Sequence, residues 1–595
     1  MSGPSLLSFT QQSWEQVLGK VKRAVVYLDA ACAESLHWSC GPTRLLEAVG
    51  DPACHLREFE PSALGGGAQQ PKAVFVLSCL LKGRTVEILK SVICRSRFQY
   101  CVVVTAVSHA VHLTANHVPA AAAAEMEGQP VFEQLEEKLC EWMGNMSYTA
   151  EVLHVPLLLA PAAPHIALTP AFASLFPLLT QDLHLLNSAR PDKRRLGSLG
   201  EMDASTLTPE LLLQIRCLVS GLSSLCEHLG VREECFAVGP LSRIIAADLA
   251  NYGPAKNRRK IAAGRASVVF VDRTLDLTGA VGHHGDSLVE KMLSALPQLP
   301  GHTTDVMVNM VELTALQPQE ENHSVLAPGC LAQPNDTVAK ALWEALLNTK
   351  HKEAVMEVRR HLVEAASREN LPIKMSMGRV TPAQLTSYIQ LFKNNLRALV
   401  NHCGLLQLGL ATVQTLKHPQ TAKWDNFLAF ERLLLQSIGE LTMTVVLNQL
   451  LPMIKPSKQR ASDDYNPEEL LILLIYTYSI TGELAVDKDM VEAEEKVKKA
   501  LAQVLCEESE LSPLLQRITV LLQPECNKNE TGQRTEKEDL WEQDGFLLRF
   551  LRIQLPIHMA HTLLEGQIAA YRGFEIFVLW RKVKSLNQLL GMGGG

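Results

Sequence analysis

The 595-residue sequence lacks the short motifs that mark the most familiar chemical sites. None of its 14 cysteines stands in a CxxC pair, so zinc-ribbon and thioredoxin-type sites have no support. No GxxxxGK(S/T) phosphate loop occurs, no GxGxxG follows a strand, and GxSxG and HExxH are also missing. We therefore predict no catalytic residues, no cofactor and no metal site, and we expect that the protein is not an enzyme.

An excess of positive charge and a membrane-spanning apolar run are missing as well. The net charge is −7, so no global basic field favours nucleic acid as a partner. The longest compact apolar run, residues 470–480, is shorter than the roughly 20 residues that a membrane helix needs. The first 12 residues do not have the pattern of a signal peptide, and the scattered cysteines fit reduced thiols. We expect a cytoplasmic protein.

Two short basic runs, residues 193–195 and 256–260, interrupt this near-neutral background, and we expect both to lie in turns. Each could contact lipid headgroups or a nucleic acid, and solvated loops are the alternative interpretation. Neither run has the interleaved aromatic residues that single-strand binding requires, so the sequence does not favour nucleic acid.

Short apolar runs recur in the first half of the chain and predict the strands of a parallel sheet. Residues 24–28, 73–77 and 101–105 are rich in β-branched side chains and apolar at almost every position, which is typical of strands buried on both faces. Helices are predicted between them, over 43–49 and 84–94. Because strands and helices alternate, we predict a parallel α/β unit with right-handed crossovers. Further strands are predicted at 151–157 and 267–271.

In the second half of the chain, helical periodicity replaces the strand pattern. Thr381 and Pro382 form a start signal, with an N-cap threonine followed by proline at the first helical position. Apolar residues then recur at alternating steps of four and three over 385–413, which predicts an a/d seam. A second apolar helix is predicted over 423–453, so the two are expected to form a long antiparallel hairpin. Ordinary helix–helix core packing is the alternative explanation of the seam.

One segment carries a specific resemblance to a known family. Residues 266–293, ASVVFVDRTLDLTGAVGHHGDSLVEKML, have a buried strand, an Asp-Arg-x-x-Asp-Leu pattern, a polar turn and a helix. This resembles the signature of the Sec/Munc (SM) family, the syntaxin-binding regulators of vesicle fusion, and looks closest to the divergent Sec-one family domain-containing proteins. We interpret the signature residues as architectural rather than catalytic, with local capping and pairing roles. They are Asp272, Arg273, Asp276 and Leu277.

The resemblance implies an arch-shaped, α/β plus helical molecule with three domains. A parallel α/β domain is expected over 1–148, and a discontinuous second α/β domain over 149–280 and 466–595. A largely helical third domain with the long hairpin is expected over 281–465. The family's final strand pattern is not recognisable near the C-terminus, so we expect the last part of the second domain to be atypical.

The resemblance also selects candidate partner-binding residues. Relatives often carry a basic residue a few positions after the acid that ends the first strand. In this sequence Asp29 is followed at that distance by Glu34, an acid. A charge of the wrong sign in a cleft disfavours an otherwise matched partner, so ordinary syntaxin binding is left open. The candidates are Glu34, Arg44, Lys393, Asn394 and Arg397.

The function implied by the resemblance is regulation of SNARE-mediated vesicle transport, membrane fusion and secretion. The protein would bind or template SNARE proteins or tethering-complex subunits, which lowers the cost of ordering their helices. It would reach intracellular membranes through those partners, with no nucleic acid and no small-molecule substrate. Two other hypotheses stay open: a scaffold that keeps the SM fold without SNARE binding, and an α/β enzyme that a nucleotide would stabilise.

Overall fold

The structure is a computed structural model of the chain, and it describes most of residues 4–508. Outside the described part lie residues 1–3, 52–54, 64–69, 119–127, 174, 177, 179–181, 192, 276–281, 283–286, 314–327, 375–377, 438–442, 462–463, 482–487 and 509–595.

A five-stranded parallel sheet organises the N-terminal part, with the strand order β2-β1-β3-β4-β5. The predicted strands at 24–28, 73–77, 101–105 and 151–157 are confirmed within a few residues. The elements are α1 (Leu6–Leu18), β1 (Val25–Leu28), α2 (Ala30–Ser39), α3 (Gly41–Val49), β2 (Leu56–Glu58), β3 (Lys72–Leu77), α4 (Arg84–Cys94), β4 (Tyr100–Thr105), α5 (His109–Ala115), α6 (Pro130–Met143) and β5 (Thr149–His154).

Alternate side chains of this sheet enter two separate cores. Val26 and Val74 point to one face, where α1, α2 and α3 cover them. Tyr27 and Phe75 point to the other, where their rings stack 4.7 Å apart beneath α4 and α6. Both faces are buried, so continuous apolar runs form these strands, as expected for a parallel sheet.

A second parallel α/β unit follows, and it contains the predicted strand at 267–271. β8 and β9 pair in parallel register, and α8 and α9 pack against them. The basic run 256–260, expected in a turn, lies in helix α10. The elements of this stretch are the separate antiparallel pair β6 (Ala160–Ala163) and β7 (Ile166–Leu168), followed by α7 (Asp182–Ser188), α8 (Pro209–His228), β8 (Val231–Val238), α9 (Pro240–Asn251), α10 (Gly253–Ile261) and β9 (Gly264–Val271).

Every regular element that the structure describes after β9 is a helix, as the helical periodicity of the second half predicted. Thr381 caps its helix as expected, because its side chain accepts from the backbone of Gln384, whose own side chain accepts from the backbone N–H of Thr381. The helices are α11 (Leu288–Ala295), α12 (Thr337–Asn348), α13 (His351–Arg368), α14 (Pro382–Gln390), α15 (Leu396–Asn401), α16 (Cys403–Lys417), α17 (Pro419–Ser437), α18 (Met443–Leu450), α19 (Pro467–Thr481) and α20 (Lys488–Glu507).

The predicted hairpin differs from the observed packing. The seam over 385–413 is not one helix, because the chain turns at 391–395 and α14 folds back against α16. The Asn395 side chain accepts from the backbone N–H of Ala398 and starts α15, which interrupts the helical repeat. α14 and α16 share one core, whereas α17 and α18 belong to another. The seam therefore reflects ordinary core packing between short helices.

The last two described helices pack with α17 and α18. Leu473 and Val497 lie in the same apolar cluster as Phe427 and Leu447. Up to residue 508, the segment predicted to return to the second α/β domain thus shares a core with the helical part. The domain bounds themselves stay a prediction, and the atypical C-terminal portion lies outside the described residues.

None of the helices in the described part of the chain is long and apolar enough to cross a membrane.

Candidate partner-binding site

Asp272 of the signature joins the end of β9 to the start of α9. Its carboxylate accepts the backbone N–H of Leu241 at 3.1 Å, and the N–H and hydroxyl of Ser242 at 2.7 and 2.5 Å. These groups lie in the first turn of α9, so Asp272 caps that helix from a neighbouring strand. Gly239 precedes the helix with φ +107°, and a Cβ there would collide with the Asp272 carboxylate. These contacts give Asp272 an architectural role, because its carboxylate joins β9 to α9.

The other signature residues add less to this picture. Arg273 begins a 3-10 turn after β9, is half-buried and interacts with other residues of the chain. Asp276 and Leu277 lie outside the described residues.

Glu34 lies inside the protein instead of facing an open cleft. It is 3% exposed, and it accepts hydrogen bonds from Thr303 and from the Thr304 hydroxyl, 269 and 270 residues away in sequence. Burial raises the pKa of its carboxyl, but His302, Thr304 and Thr303 together hold the pKa below its usual value. In this conformation Glu34 joins α2 to the 302–305 loop and presents no charge to a partner.

Asp305 completes the contact between α2 and the 302–305 loop. Its carboxylate accepts three backbone N–H groups at 2.7–3.0 Å and lies 2.8 Å from Nε2 of His37. With Cys330, these side chains bring three metal-type donor atoms within 4.8 Å of one another. Each Asp305 oxygen already accepts two hydrogen bonds. Burial raises the pKa of the Cys330 thiol to about 12. We therefore interpret the cluster as a hydrogen-bonded contact between two parts of the molecule.

The carboxyl edge of the first sheet is the place where doubly wound folds bind ligands. Here the strand order reverses between β1 and β3, and Asp29 follows β1. Its carboxylate caps α2 through the Cys32 backbone N–H at 2.9 Å, and accepts the Ser78 backbone N–H and hydroxyl at 2.5 and 2.8 Å. This acid therefore has a structural role at the switch point.

Arg44 lies on the surface of α3. It forms an ion pair with Glu15 of α1, and the two side chains are 50% and 57% exposed. A pair this exposed contributes little to stability, so Arg44 is accessible to a partner at low cost.

Lys393, Asn394 and Arg397 meet at one exposed corner between α14 and α15. Phe392 is fully buried beneath the turn and fixes its position. We call this surface, residues 393–400, the 393–400 corner.

Two apolar side chains project from the same corner. Leu396 is 75% exposed and Val400 is 64% exposed, and their spacing of four residues places them on one side of α15. The sequence predicted Leu396 as a buried seam residue, and the turn at 391–395 is the reason that it faces solvent instead. The apolar part of the corner was therefore missed, although its basic residues were predicted.

The corner is electrostatically positive. Among the described residues, neither Lys393 nor Arg397 forms an ion pair within 4 Å. The carboxylate of Glu369 interacts electrostatically with Arg397, and it accepts hydrogen bonds from Asn401 and His402 at 3.2 Å each. The Asn401 hydrogen bond is the main reason why the pKa of Glu369 lies below its usual value, and His402 and Arg397 lower it further.

Of the five candidates, the structure therefore brings three together at the 393–400 corner. Arg44 lies on α3 and pairs with α1, and Glu34 is enclosed by the 302–305 loop. Sequence reasoning did not identify that loop, because its contacts span more than 260 residues and leave no local pattern.

Comparison with known proteins shows close relatives. The chain is 86% identical to the human Sec1 family domain-containing protein 2 over 520 residues, which is 87% of this chain and 76% of that protein. The mouse protein of the same name is 81% identical over the same length. The Arabidopsis thaliana Sec1 family domain-containing protein MIP3 is 23% identical over 580 residues, covering 78% of this chain and 67% of the relative. No protein-family model and no solved structure matches. The chain belongs to the Sec1 family, the family of SM-like proteins.

Proposed function

We propose that this protein is a non-enzymatic regulator of SNARE-mediated vesicle transport and membrane fusion, including secretion. It binds SNARE proteins, such as syntaxin-like helices, or subunits of tethering complexes. Membership of the Sec1 family supports this proposal. The helix-capping role of Asp29 at the sheet edge supports only its non-enzymatic part. We propose a cytoplasmic location, with recruitment to intracellular membranes through these partners.

The 393–400 corner is the observation that carries the proposal. Leu396 and Val400 expose apolar surface at helical spacing, and a partner helix that covers them removes this surface from water. Burying side chains of this size contributes about 1.5–3 kcal/mol each. Exposed apolar residues rimmed by charge are typical of protein interaction sites.

Charge gives the corner a preference among partners. Lys393 and Arg397 flank the apolar pair, so a helix with acidic residues beside its apolar stripe is favoured over a basic one. SNARE segments are disordered until they assemble, and a preformed surface reduces the entropy that their ordering costs. The role proposed for the corner is to hold one such helix in place.

The test is affinity capture with the full chain, followed by identification of the captured proteins. We compare wild type with L396D/V400D, which places charge in the apolar pair. Leu185→Asp is the matched control, because Leu185 is 64% exposed on α7, as Val400 is on α15. We expect a SNARE or a tethering subunit with wild type and L185D, and at least a tenfold lower yield with L396D/V400D.

The outcomes separate the proposal from its alternative. A scaffold without SNARE binding would retain a partner that contains no SNARE helix, and L396D/V400D would capture it as well as wild type. Glu34 and the atypical C-terminus are the two sequence features that favour this scaffold alternative, and the burial of Glu34 removes the first of them. Recovery of neither class of protein with wild type would contradict the proposed function.

A further inference from the structure

The second α/β unit carries a local concentration of positive charge in an otherwise acidic protein. Residues 249–271 contain five cationic side chains and no aspartate or glutamate. Four of the five are exposed: Lys256, Arg259, Lys260 and Arg265.

The fifth cation, Arg258, explains how the others are presented. It is 5% exposed and forms two hydrogen bonds to the Glu233 carboxylate and one, at 2.7 Å, to the Ser223 hydroxyl. These contacts attach α10 to β8 and α8. One side of α10 is thereby fixed inward, and Lys256 and Lys260, four residues apart, share the outward side.

Structural roles account for only some of these charges. Arg259 donates to the carbonyl of Ala250, and Arg265 lies 3.4 Å from Glu234. Basic residues in the last turn of a helix also suit its dipole. Lys256 is near the start of α10, where the dipole is unfavourable to a cation. Among the described residues, neither Lys256 nor Lys260 has a side-chain hydrogen bond or ion pair.

An apolar side chain stands at the end of the same helix. Ile261 is 82% exposed, more than any other exposed large apolar side chain that the structure describes. It follows Lys260 directly and precedes the crossing to β9. An exposed aliphatic side chain among lysines and arginines is the combination that binds at the headgroup boundary of a bilayer.

We propose that α10 and Arg265 form a surface that binds directly to membranes containing anionic lipids, with Ile261 entering the interface. The cations attract the negative headgroups, and the isoleucine adds apolar burial that a purely electrostatic contact lacks. Nucleic acid would bind the same charges but would gain nothing from the exposed Ile261, and residues 253–265 contain no aromatic side chain for base stacking. The surface supplies membrane contact separate from the proposed SNARE or tether partner.

The test is co-sedimentation of the purified full chain with vesicles of phosphatidylcholine alone or mixed with phosphatidylserine. We expect sedimentation with the mixed vesicles only, weakening as salt is added because exposed charges are screened. Each Lys or Arg near such a surface contributes about fivefold in affinity. K256E/K260E should therefore bind at least tenfold more weakly, and I261S about fivefold more weakly at unchanged charge.

Matched controls lie on α13 and just before it. K350E/K352E makes the same charge change at two exposed lysines, and Met356→Ser removes an apolar side chain that is 50% exposed. Both should bind as wild type does, and thermal melts check that all variants fold. Equal sedimentation with neutral vesicles, equal losses in the control variants, or binding of duplex DNA without binding of vesicles would each overturn the proposal. I261S keeps the test decisive if the charge-reversal variant does not fold.

Discussion

Asp272 shows how a single signature residue organises its neighbourhood. A carboxylate that caps a helix from a separate strand fixes two elements at once, here β9 and α9. Gly239 belongs to the same arrangement, because only glycine leaves room for the carboxylate at that position. The Asp-Arg-x-x-Asp-Leu pattern is therefore explained, as far as Asp272 is concerned, by folding requirements.

Replacing Asp272 with alanine should lower the free energy of unfolding by about 2 kcal/mol, because the first turn of α9 loses its cap and Ser242 its partner. Asp272→Asn keeps one acceptor oxygen and should cost less. Chemical denaturation of both variants measures the difference. Unchanged stability of D272A would show that the cap contributes nothing.

Glu34 supports a prediction about pH. Its pKa is lowered in the folded protein, so its carboxylate stabilises the fold above the unfolded-state value of about 4.5, and this contribution disappears as pH falls through the folded-state pKa. Wild type should lose stability below about pH 4.5 more steeply than E34Q does. At neutral pH, E34Q should be less stable by about 1–3 kcal/mol.

Denaturation curves of wild type and E34Q at a series of pH values provide the measurement. Parallel pH profiles for the two proteins would mean that Glu34 does not titrate differently in the folded and unfolded states.

For single residues, the sequence predicted which side chains are charged but not which of them are buried. Lys393, Asn394 and Arg397 are exposed at one corner, where a partner could reach them. Glu34 was expected in a cleft, yet it is buried against the 302–305 loop, since burial depends on which distant segment covers a side chain. No spacing within α2 encodes that loop.

Among the elements, the strands were the most predictable. Residues 73–77 and 101–105 are apolar at nearly every position because both faces of the sheet are covered, and this requirement is visible locally. The seam over 385–413 was less informative, since the same repeat serves one long helix or several short ones. In the structure the Asn395 side chain caps α15, so the repeat forms several short helices instead of one long helix. Helix α10 was expected as a turn because it has few apolar residues to reveal its period.

Arg258 is the residue on which the attachment of α10 depends. Arg258→Met should destabilise the protein by about 3–5 kcal/mol, because the Glu233 carboxylate would stay buried without its partner. The double variant E233L/R258M should recover most of the loss, since it removes both charges together. Chemical denaturation of the single and double variants measures this coupling. A loss below about 1 kcal/mol in R258M would contradict it.

For the whole molecule, the contacts between distant segments matter most. Trp343 donates to the Ala162 carbonyl at 2.7 Å, and Trp38 donates to the Thr304 hydroxyl at 2.9 Å. The core of the helical part thus includes residues of α2 and β6. Phe392 and Ala398 belong to the same core, so the 393–400 corner is supported by packed side chains, which suits a surface that holds a partner helix.

Sequence identity over most of the chain establishes the family of this protein. It does not establish which partner the protein binds. The 393–400 corner is the surface that indicates a partner, because it combines exposed apolar side chains with positive charge that has no ion pair among the described residues. We propose that this corner binds a SNARE helix.

Equilibrium binding of the purified chain to a purified SNARE cytosolic segment measures whether the 393–400 corner holds such a helix. A fluorescent label on the SNARE segment reports binding by anisotropy. We predict saturable binding that L396D/V400D weakens at least tenfold and that L185D leaves unchanged. Absence of binding across the SNARE segments tried, or equal weakening by both variants, would rule out SNARE binding at the 393–400 corner.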